Sequence, residues 1–395
     1  MESRSTICLS MIVKNEEKDI ERCLESVIPY IDYWVISDTG STDNTKEIIQ
    51  TLMDKHGVPG ELHEHEWVDF STNRNYALEL SRPHADFIWF MDADDDFVPL
   101  IDDPFYVLSE NKHYDCFHMS YKMDDFFFER CAIIRSDARA HYENVLHEVI
   151  YSIDKEYTLK AASIPNIGYI NARASPLKRN DTEREKYLND AKILEEDLKK
   201  NPLNPRTMFY LAQSYHMAEE FEKAIDYYTM RSQFLKDGNK DEVYVSKLEI
   251  CKIKIHLNYD DAECIDECIS AWELCTGRID TLVLAMGLLH KRGRNAYAIA
   301  IGGMAIASAD PTQNKFKLEP GMYDWKFPTM YAYCLYSSGN QESAIEMIAG
   351  LINTYSSDPS KKEAIEELEI CLNEFNVKKK HQSRAERRKS KKKKK

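Results

Sequence analysis

Four short polar segments carry the residue types that could do chemistry on a phosphorylated ligand. Asp38-Thr-Gly-Ser-Thr-Asp-Asn-Thr45 follows an apolar run, Tyr33 to Ile36, and precedes an amphipathic stretch, Lys46 to Met53. A strand that ends in a polar turn and opens a helix fits this order. Gly40 can take the left-handed backbone of a tight turn, and Ser41, Thr42 or Asp43 can cap the helix. Asp38 then falls at the carboxyl end of a strand, where open α/β sheets bind ligands. A carboxylate there can accept a hydrogen bond from the N–H of a nucleobase. Taken alone, the same eight residues also read as an ordinary βα loop. The second segment, Asp92-Ala-Asp-Asp-Asp96, follows the apolar run Phe87 to Met91. Carboxylates this close repel one another and raise each other's pKa unless a cation intervenes. Oxygen ligands of this kind suit Mg²⁺ or Mn²⁺ bound jointly by one or two carboxylates and substrate phosphates. The competing reading is a solvated acidic loop. The other two segments are Ser10-Met-Ile-Val-Lys-Asn-Glu-Glu17 and Phe70-Ser-Thr-Asn-Arg-Asn75.

The elements that must position these residues alternate. Ile7 to Val13 reads as a strand, and Glu16 to Val27 as a helix with Ile20, Leu24 and Val27 on one face. Tyr33 to Ile36 and Leu62 to Trp67 follow as strands, Asn75 to Leu80 as a helix, and Phe87 to Met91 as a buried strand. Cys116 to Tyr121 and Cys131 to Arg135 are later strands. This alternation predicts an α/β domain over residues 1–174 with a parallel-dominated sheet and helices on its faces.

Residues 175–376 are expected to be helical. Leu211-Ala212-x-x-Tyr215 with Ala224 and Tyr228 has tetratricopeptide spacing, and Tyr331-Ala332-x-x-Leu335 with Ala344 and Ile348 repeats it. Ala262 and Ala298 are the expected counterparts between them. A non-repeating bundle is the alternative. Stacked repeats offer a concave surface that commonly binds partners. Residues 377–395 form a low-complexity basic tail, expected to be disordered. From residue 378 onward there are 12 Lys and Arg against one Glu, whereas the rest of the chain holds 40 basic and 66 acidic residues. That asymmetry suits a solubilising segment or a nuclear address, and makes nucleic-acid contact outside the tail unlikely.

The 395 residues suffice for two or three domains, and 43% hydrophobic content supports real cores. No stretch reaches the length of a membrane span, and the charged amino terminus lacks a signal-peptide apolar region. A cytoplasmic protein is expected. The ten cysteines form no C-x-x-C pair, and Cys264 and Cys268 sit at helical spacing that suggests packing rather than ligation.

Taken in order, the four segments resemble the GT-A nucleotide-sugar-binding domain of glycosyltransferase family 2. The chain looks most like the subgroup that fuses this Rossmann-like domain to tetratricopeptide-like repeats. The resemblance implies a metal-dependent, inverting transferase. It would move a hexosyl or N-acetylhexosaminyl group from a nucleoside-diphosphate sugar, commonly a UDP-sugar, to a hydroxyl or thiol of a peptide, protein or glycan. It also implies that Asp38 binds the base and that Val13, Asn15 and Glu16 line the nucleotide pocket. Arg74 would lie near the diphosphate. Asp92-Ala-Asp94 would be the DxD motif, with Asp94 on Mn²⁺ or Mg²⁺ and Asp92 on ribose or the metal's water. The ion would stabilise the departing nucleoside diphosphate. A nucleotide-binding repeat scaffold without turnover is the rival reading.

His147-Glu148, in Tyr142-Glu-Asn-Val-Leu-His-Glu148, resembles a His-Glu pair late in this subgroup's catalytic domain. Glu148 is then the first candidate for general base, with His147 beside metal or diphosphate. A structural strand-end pair is the alternative, and Asp124 and Asp125 are rival bases. Two departures from the family pattern are Asn144, where Gly is common, and Asn166, where His often precedes the later Gly168-Tyr169. Asn tolerates left-handed backbone. His63-Glu-His-Glu66 reads as a polar strand edge rather than a metal box. Phe126-Phe-Phe128 reads as core, with a stacking platform for sugar or acceptor as the alternative.

Overall fold

Strands buried on both faces read as continuous apolar runs, and three strands of this chain do so because helices cover each side of their sheet. The computed structural model describes residues 4–123, 126–173, 182–235, 239–310, 319 and 321–393. They divide into two compact units, Met1–Asp197 and Leu198–Lys395. In the first unit, β1 (Ile7–Val13), β2 (Tyr33–Asp38), β3 (Gly60–Glu64) and β4 (Phe87–Phe90) lie parallel in the order β3-β2-β1-β4. The sheet continues through β5 (Asp96–Pro99), β6 (Cys116–Met123), β7 (Phe126–Arg135) and β11 (Gly168–Asn171), in the order β4-β7-β6-β11-β5. Here β7 is antiparallel to both its neighbours, and β11 is parallel to β6. The short β10 (Ala161–Ser163) pairs with β6, while β8 (Ala140–Glu143) and β9 (Val149–Ser152) form a separate hairpin. This is a mixed, mostly parallel sheet, as the alternation implies.

Helices α1 (Ile20–Val27) and α2 (Thr45–His56) bury Leu24, Ile49 and Leu52 against Trp34, Ile36, Phe87 and Trp89. The opposite face is covered by α3 (Phe70–Ser81), whose Leu78 packs with Ile88 and Phe90 of β4 and with Ala140 and Tyr142 of β8. Successive residues of β4 thus serve opposite cores, as the period of two requires. A short α4 (Tyr106–Glu110) and a long α5 (Glu183–Lys200) complete this part of the chain.

Several boundaries differ from the sequence reading for local reasons. The third strand starts earlier and stops at Glu64, because Glu64 pairs with Asp38, the last residue of β2. The third helix starts at Phe70 rather than Asn75, because Asp69 caps it by accepting from the backbone N–H of Thr72 at 2.7 Å. The first compact unit ends at Asp197, within helix α5. Phe126 to Phe128 form the start of β7 rather than a uniformly buried core. Phe128 stacks on Tyr121, but Phe127 is 54% exposed and lies against Lys122 and Tyr169.

The described residues of the second unit form helices and the turns between them. Four helix pairs follow one another: α6 (Pro205–Met217) with α7 (Phe221–Ser232), α8 (Lys240–His256) with α9 (Asp261–Leu274), α10 (Asp280–Lys291) with α11 (Asn295–Ser308), and α12 (Phe327–Ser337) with α13 (Gln341–Tyr355). Each pair turns through the same device. The backbone N–H groups of Glu220, Tyr259, Arg294 and Asn340 return to the carbonyls of Tyr215, Lys254, Leu289 and Leu335. The residue before each of these donors, Glu219, Asn258, Gly293 or Gly339, has positive φ. That is the Schellman arrangement, and its fourfold recurrence makes the repeat structural as well as compositional. Ala212, Ala224, Ala298, Ala332 and Ala344 are fully buried at the expected small positions. Ala262 is not: it is exposed near the start of α9, and the buried pair Cys264 and Cys268 fills the close approach instead.

The final helix, α14 (Lys362–Lys393), buries Leu368, Cys371 and Phe375, and Phe375 stacks on Tyr336 at 4.4 Å. Its backbone stays helical past 377, where the sequence reading expects disorder. Packing of the first turns supplies the costly nucleus, and Lys, Arg, Ala and Glu propagate a helix readily.

Among the four turns, Glu219 is the residue least suited to its φ of 61°. Replacing it with Gly relieves the left-handed strain of an exposed side chain. Glu219→Gly is expected to raise unfolding stability of the helical unit by about 0.5–1 kcal/mol in urea titration. A decrease would mean that the left-handed turn does not persist in solution.

Candidate active site

The parallel register brings three predicted residues to one edge. Val13 pairs with Asp38 across β1 and β2, and Ser10 pairs with Phe90 across β1 and β4, so the acidic segment leaves β4 beside the same edge. Loops from β1 and β2 brace each other there. Asn15, at φ 57°, donates its backbone N–H to Ser41 Oγ at 2.9 Å and accepts from the Thr42 N–H on Oδ1 at 2.8 Å. The Glu16 N–H donates to Thr45 Oγ1 at 2.7 Å, and the Thr39 N–H to the Val13 carbonyl at 2.9 Å. Gly40 has φ 103°, as a tight turn here requires. Asp38 is completely buried. Its Oδ1 accepts from the N–H groups of Gly40 and Ser41 at 2.9 and 2.8 Å, while its Oδ2 is buried with no hydrogen-bond partner.

A second cluster forms around Arg74 of α3. Its Nη2 donates to Asp92 Oδ1 at 2.5 Å and its Nε to Glu148 Oε1 at 2.7 Å, with the guanidinium 7% exposed. Arg130 of β7 closes the square, donating to Asp92 Oδ2 at 3.2 Å and to Glu148 Oε1 at 3.4 Å. Burial opposes ionisation of Asp92, yet Arg74 and Arg130 hold its carboxyl well below the usual carboxylate range. Burial likewise opposes the charge of Arg74, and Asp92 and Glu148 outweigh it, raising that pKa. Asn75, next to Arg74, fixes α3 to β8 by donating to the Tyr142 carbonyl at 2.8 Å and accepting from the Tyr142 N–H at 2.7 Å. Asn144 and His147 then turn the chain with φ of 78° and 54° to deliver Glu148. The Asn at 144 therefore serves the backbone role for which Gly is common.

The acidic segment is held by its backbone and its flanks. Arg22 of α1 donates to the Asp94 carbonyl at 2.6 Å and pairs with Asp96 at 3.3 Å, and the Arg173 N–H reaches Asp95 Oδ1 at 3.2 Å. Burial, reinforced by repulsion from Asp92 and Asp94, pushes the Asp95 carboxyl up to about 7.

As a cation anchor, this donor set differs from the sequence reading in one respect. Both oxygens of Asp92 accept from guanidiniums, so Asp92 is occupied as an ion-pair partner rather than free as a metal ligand. Among the described residues, no three His, Cys, Asp or Glu side chains converge as a metal site. The mutual repulsion of Asp92, Asp94 and Asp95 nonetheless fits a cation held by Asp94 and completed by phosphate oxygens and water.

Arg130 was not legible in the sequence. An arginine after Phe126-Phe-Phe-Glu carries no motif, and only strand pairing brings it opposite Asp92. His63-Glu-His-Glu66 is a polar edge as read: His63 pairs with Glu61 at 2.8 Å, Glu64 with Lys46 at 2.8 Å, and the His65 ring packs on Tyr76. Asp124 and Asp125 lie outside the described residues. No described helix is long and apolar enough to cross a membrane.

Comparison with known proteins fits this geometry. Residues 8–130 match the family model described as Glycosyl transferase family 2. Over 264 residues the chain is 25% identical to the SPbeta prophage-derived glycosyltransferase SunS of Bacillus subtilis (strain 168), covering 64% of this chain and 60% of that protein. The chain thus spans about 60% of the length of this curated relative. Over 93 residues it is 34% identical to a TPR repeat-containing protein of Synechococcus elongatus, covering 23% of this chain and 21% of that one. Among solved structures it is similar to S. aureus TarS, at 15% identity and a TM-score of 0.36, covering 71% of this chain and 55% of that one. Residues 8–130 therefore match a glycosyl transferase family 2 domain, and the helical unit repeats one helix-pair turn four times.

Proposed function

We propose that the protein is a glycosyltransferase that takes a sugar from a nucleoside-diphosphate donor, a UDP-sugar, and delivers it with inversion to a hydroxyl or thiol. The acceptor would be a peptide, protein or glycan presented by the helical repeats. The observation that carries this reading is the buried, half-satisfied carboxylate of Asp38 at the same sheet edge as the acidic segment and the Arg74 cluster. An unpaired buried acceptor costs about 1–3 kcal/mol, and the N–H of a nucleobase satisfies it. Val13, Asn15 and Glu16 line the nucleotide pocket. Asp94 would hold Mn²⁺ or Mg²⁺, which would supply Lewis-acid stabilisation of the leaving diphosphate.

Within that scheme the chain's own groups divide the work. Arg74 and Arg130 fix Asp92 and orient the diphosphate side of the cleft. Both guanidinium contacts to Glu148 fall on Oε1, leaving Oε2 as the oxygen that accepts the proton of the attacking acceptor. His147, strained at positive φ, sets the angle of that side chain.

Three measurements test this. Asp94→Asn is expected to abolish UDP-sugar turnover with an unchanged thermal midpoint, and full activity in that variant would remove the metal assignment. Chelation by EDTA is expected to stop turnover, with recovery on adding Mn²⁺. If chelated enzyme keeps its rate, the arginine cluster alone carries the leaving-group charge. Glu148→Gln is expected to lower kcat by about 10²–10⁴-fold with UDP affinity retained. An equal loss in UDP affinity would instead make Glu148 a support for Arg74.

A further inference from the structure

The sheet face that carries the β8–β9 hairpin continues past it as an open surface. Cys131 of β7 packs there with Ala140 and Tyr142 of β8. Side chains alternate along a strand, so Glu129 and Phe127 share the face of Cys131. Residues directly opposed on neighbouring strands share it too. Ser120 opposes Glu129, Lys122 opposes Phe127, and Tyr169 and Asn171 of β11 oppose Ser120 and Lys122. Glu129 and Phe127 are exposed, and Ser120, Lys122 and Tyr169 are half-buried. The Phe127 ring meets Tyr169 edge-on at 5.7 Å, and Lys122 Nζ stands 5.9 Å from both ring centroids. Because β7 is antiparallel to both β4 and β6, β6 ends at the edge where the acidic segment leaves β4, and Lys122 lies near that end. Arg130, three residues along β7 from Phe127, donates to Glu148 at 3.4 Å. Phe127 is therefore about 10 Å along the strand from the residue that touches the candidate base.

The polar groups of this face are mostly committed. Glu129 accepts from Ser163 Oγ at 2.6 Å, and Asn171 Nδ2 turns to Asp96 at 3.4 Å. Lys122 has no ion-pair partner among the described residues. A carbohydrate needs several free donors and acceptors around its hydroxyls, whereas this surface offers one uncommitted ammonium against two aromatic rings. That combination suits a carboxylate at the end of a methylene stem, with the stem on Phe127 and the charge on Lys122. We propose that Lys122, Phe127 and Tyr169 form an acceptor subsite for a glutamate of a peptide substrate, about three residues from the side chain that receives the sugar. The spacing follows because about 10 Å is the reach of three extended residues. This rests on the glycosyl-transfer reading above and narrows its acceptor to an acidic peptide.

The test uses the full chain with Mn²⁺, a panel of UDP-hexoses and UDP-N-acetylhexosamines, and Gly-rich peptides with a central Ser or Cys. Each peptide carries Glu, Gln or Lys three residues to one side or the other, and products are read by mass spectrometry. Native protein is expected to favour Glu over Gln about fivefold in kcat/KM, the worth of one partly exposed ion pair. Lys122→Glu should reverse the preference towards Lys, and Phe127→Ala should shrink it by removing the surface under the stem. UDP affinity measured by calorimetry should be retained in both variants, which shows that they fold. Absence of a Glu preference in native protein, or its persistence in Lys122→Glu, overturns the subsite. Sugar nucleotide that is hydrolysed without transfer to any peptide overturns only this inference and leaves the donor site standing. Native protein that neither binds UDP nor consumes a UDP-sugar overturns both.

Discussion

The guanidinium of Arg74 is the contact on which the first unit's geometry depends. It reaches from α3 to the segment after β4 and to the turn before β9, so three pieces of chain far apart in sequence meet on one buried cation. Removing one partner from such a set leaves an uncompensated buried charge, at about 3–5 kcal/mol. The arrangement is therefore all or none. Arg130 adds a second, half-exposed cation to the same two carboxylates, which fixes their separation without further burial. Asn75 supports the same junction through backbone pairing with Tyr142, so α3 cannot slide along β8 without breaking two hydrogen bonds.

The helical unit uses the same device for a different end. Arg231, fully buried, meets Glu242 at 3.2 Å and the Asn239 carbonyl at 2.8 Å, and Arg278 meets Asp280 at 2.8 Å. These pairs sit at or beside the starts of α8 and α10, where one repeat hands over to the next. Apolar faces alone tolerate sliding of one helix pair on another, because Leu, Ile and Cys surfaces are interchangeable. The Arg231–Glu242 pair joins α7 to α8 and so holds one helix pair in register on the next, whereas Arg278 and Asp280 lie two residues apart and brace only the start of α10.

Legibility in the sequence followed the range of the interaction involved. Asp38, Gly40 and the acidic segment were readable because turn chemistry and strand ends are local, and a few adjacent residues suffice to specify them. Asn144 was readable for the same reason, as a residue able to take positive φ. The pairing of Asp92 with two arginines was not, because it needs β4 beside β7 and α3 over both. The resemblance places Asp92 on ribose or the metal's water, and the fold adds its position as the anion between Arg74 and Arg130. Ala262 was misplaced by a related limit. The repeat pattern asks for a small residue, and Cys264 meets that demand as well as Ala does.

Charge around the acidic segment gives the cleft its remaining constraint. Arg74 and Arg130 are committed to Asp92 and Glu148, Arg22 to Asp19, Asp96 and the Asp94 carbonyl, and the Arg173 guanidinium to Asp96. On the proposed reading, an arriving diphosphate would meet cations whose charge is already largely balanced by carboxylates fixed beside them. Its added negative charge would act in the same direction as the burial, reinforced by repulsion from Asp92 and Asp94, that pushes the Asp95 carboxyl up to about 7. On that same reading, a divalent cation held by Asp94 would answer both demands at once, because it would add positive charge without taking an arginine from its partner. The arginine cluster would then be the rigid frame and the ion the exchangeable charge.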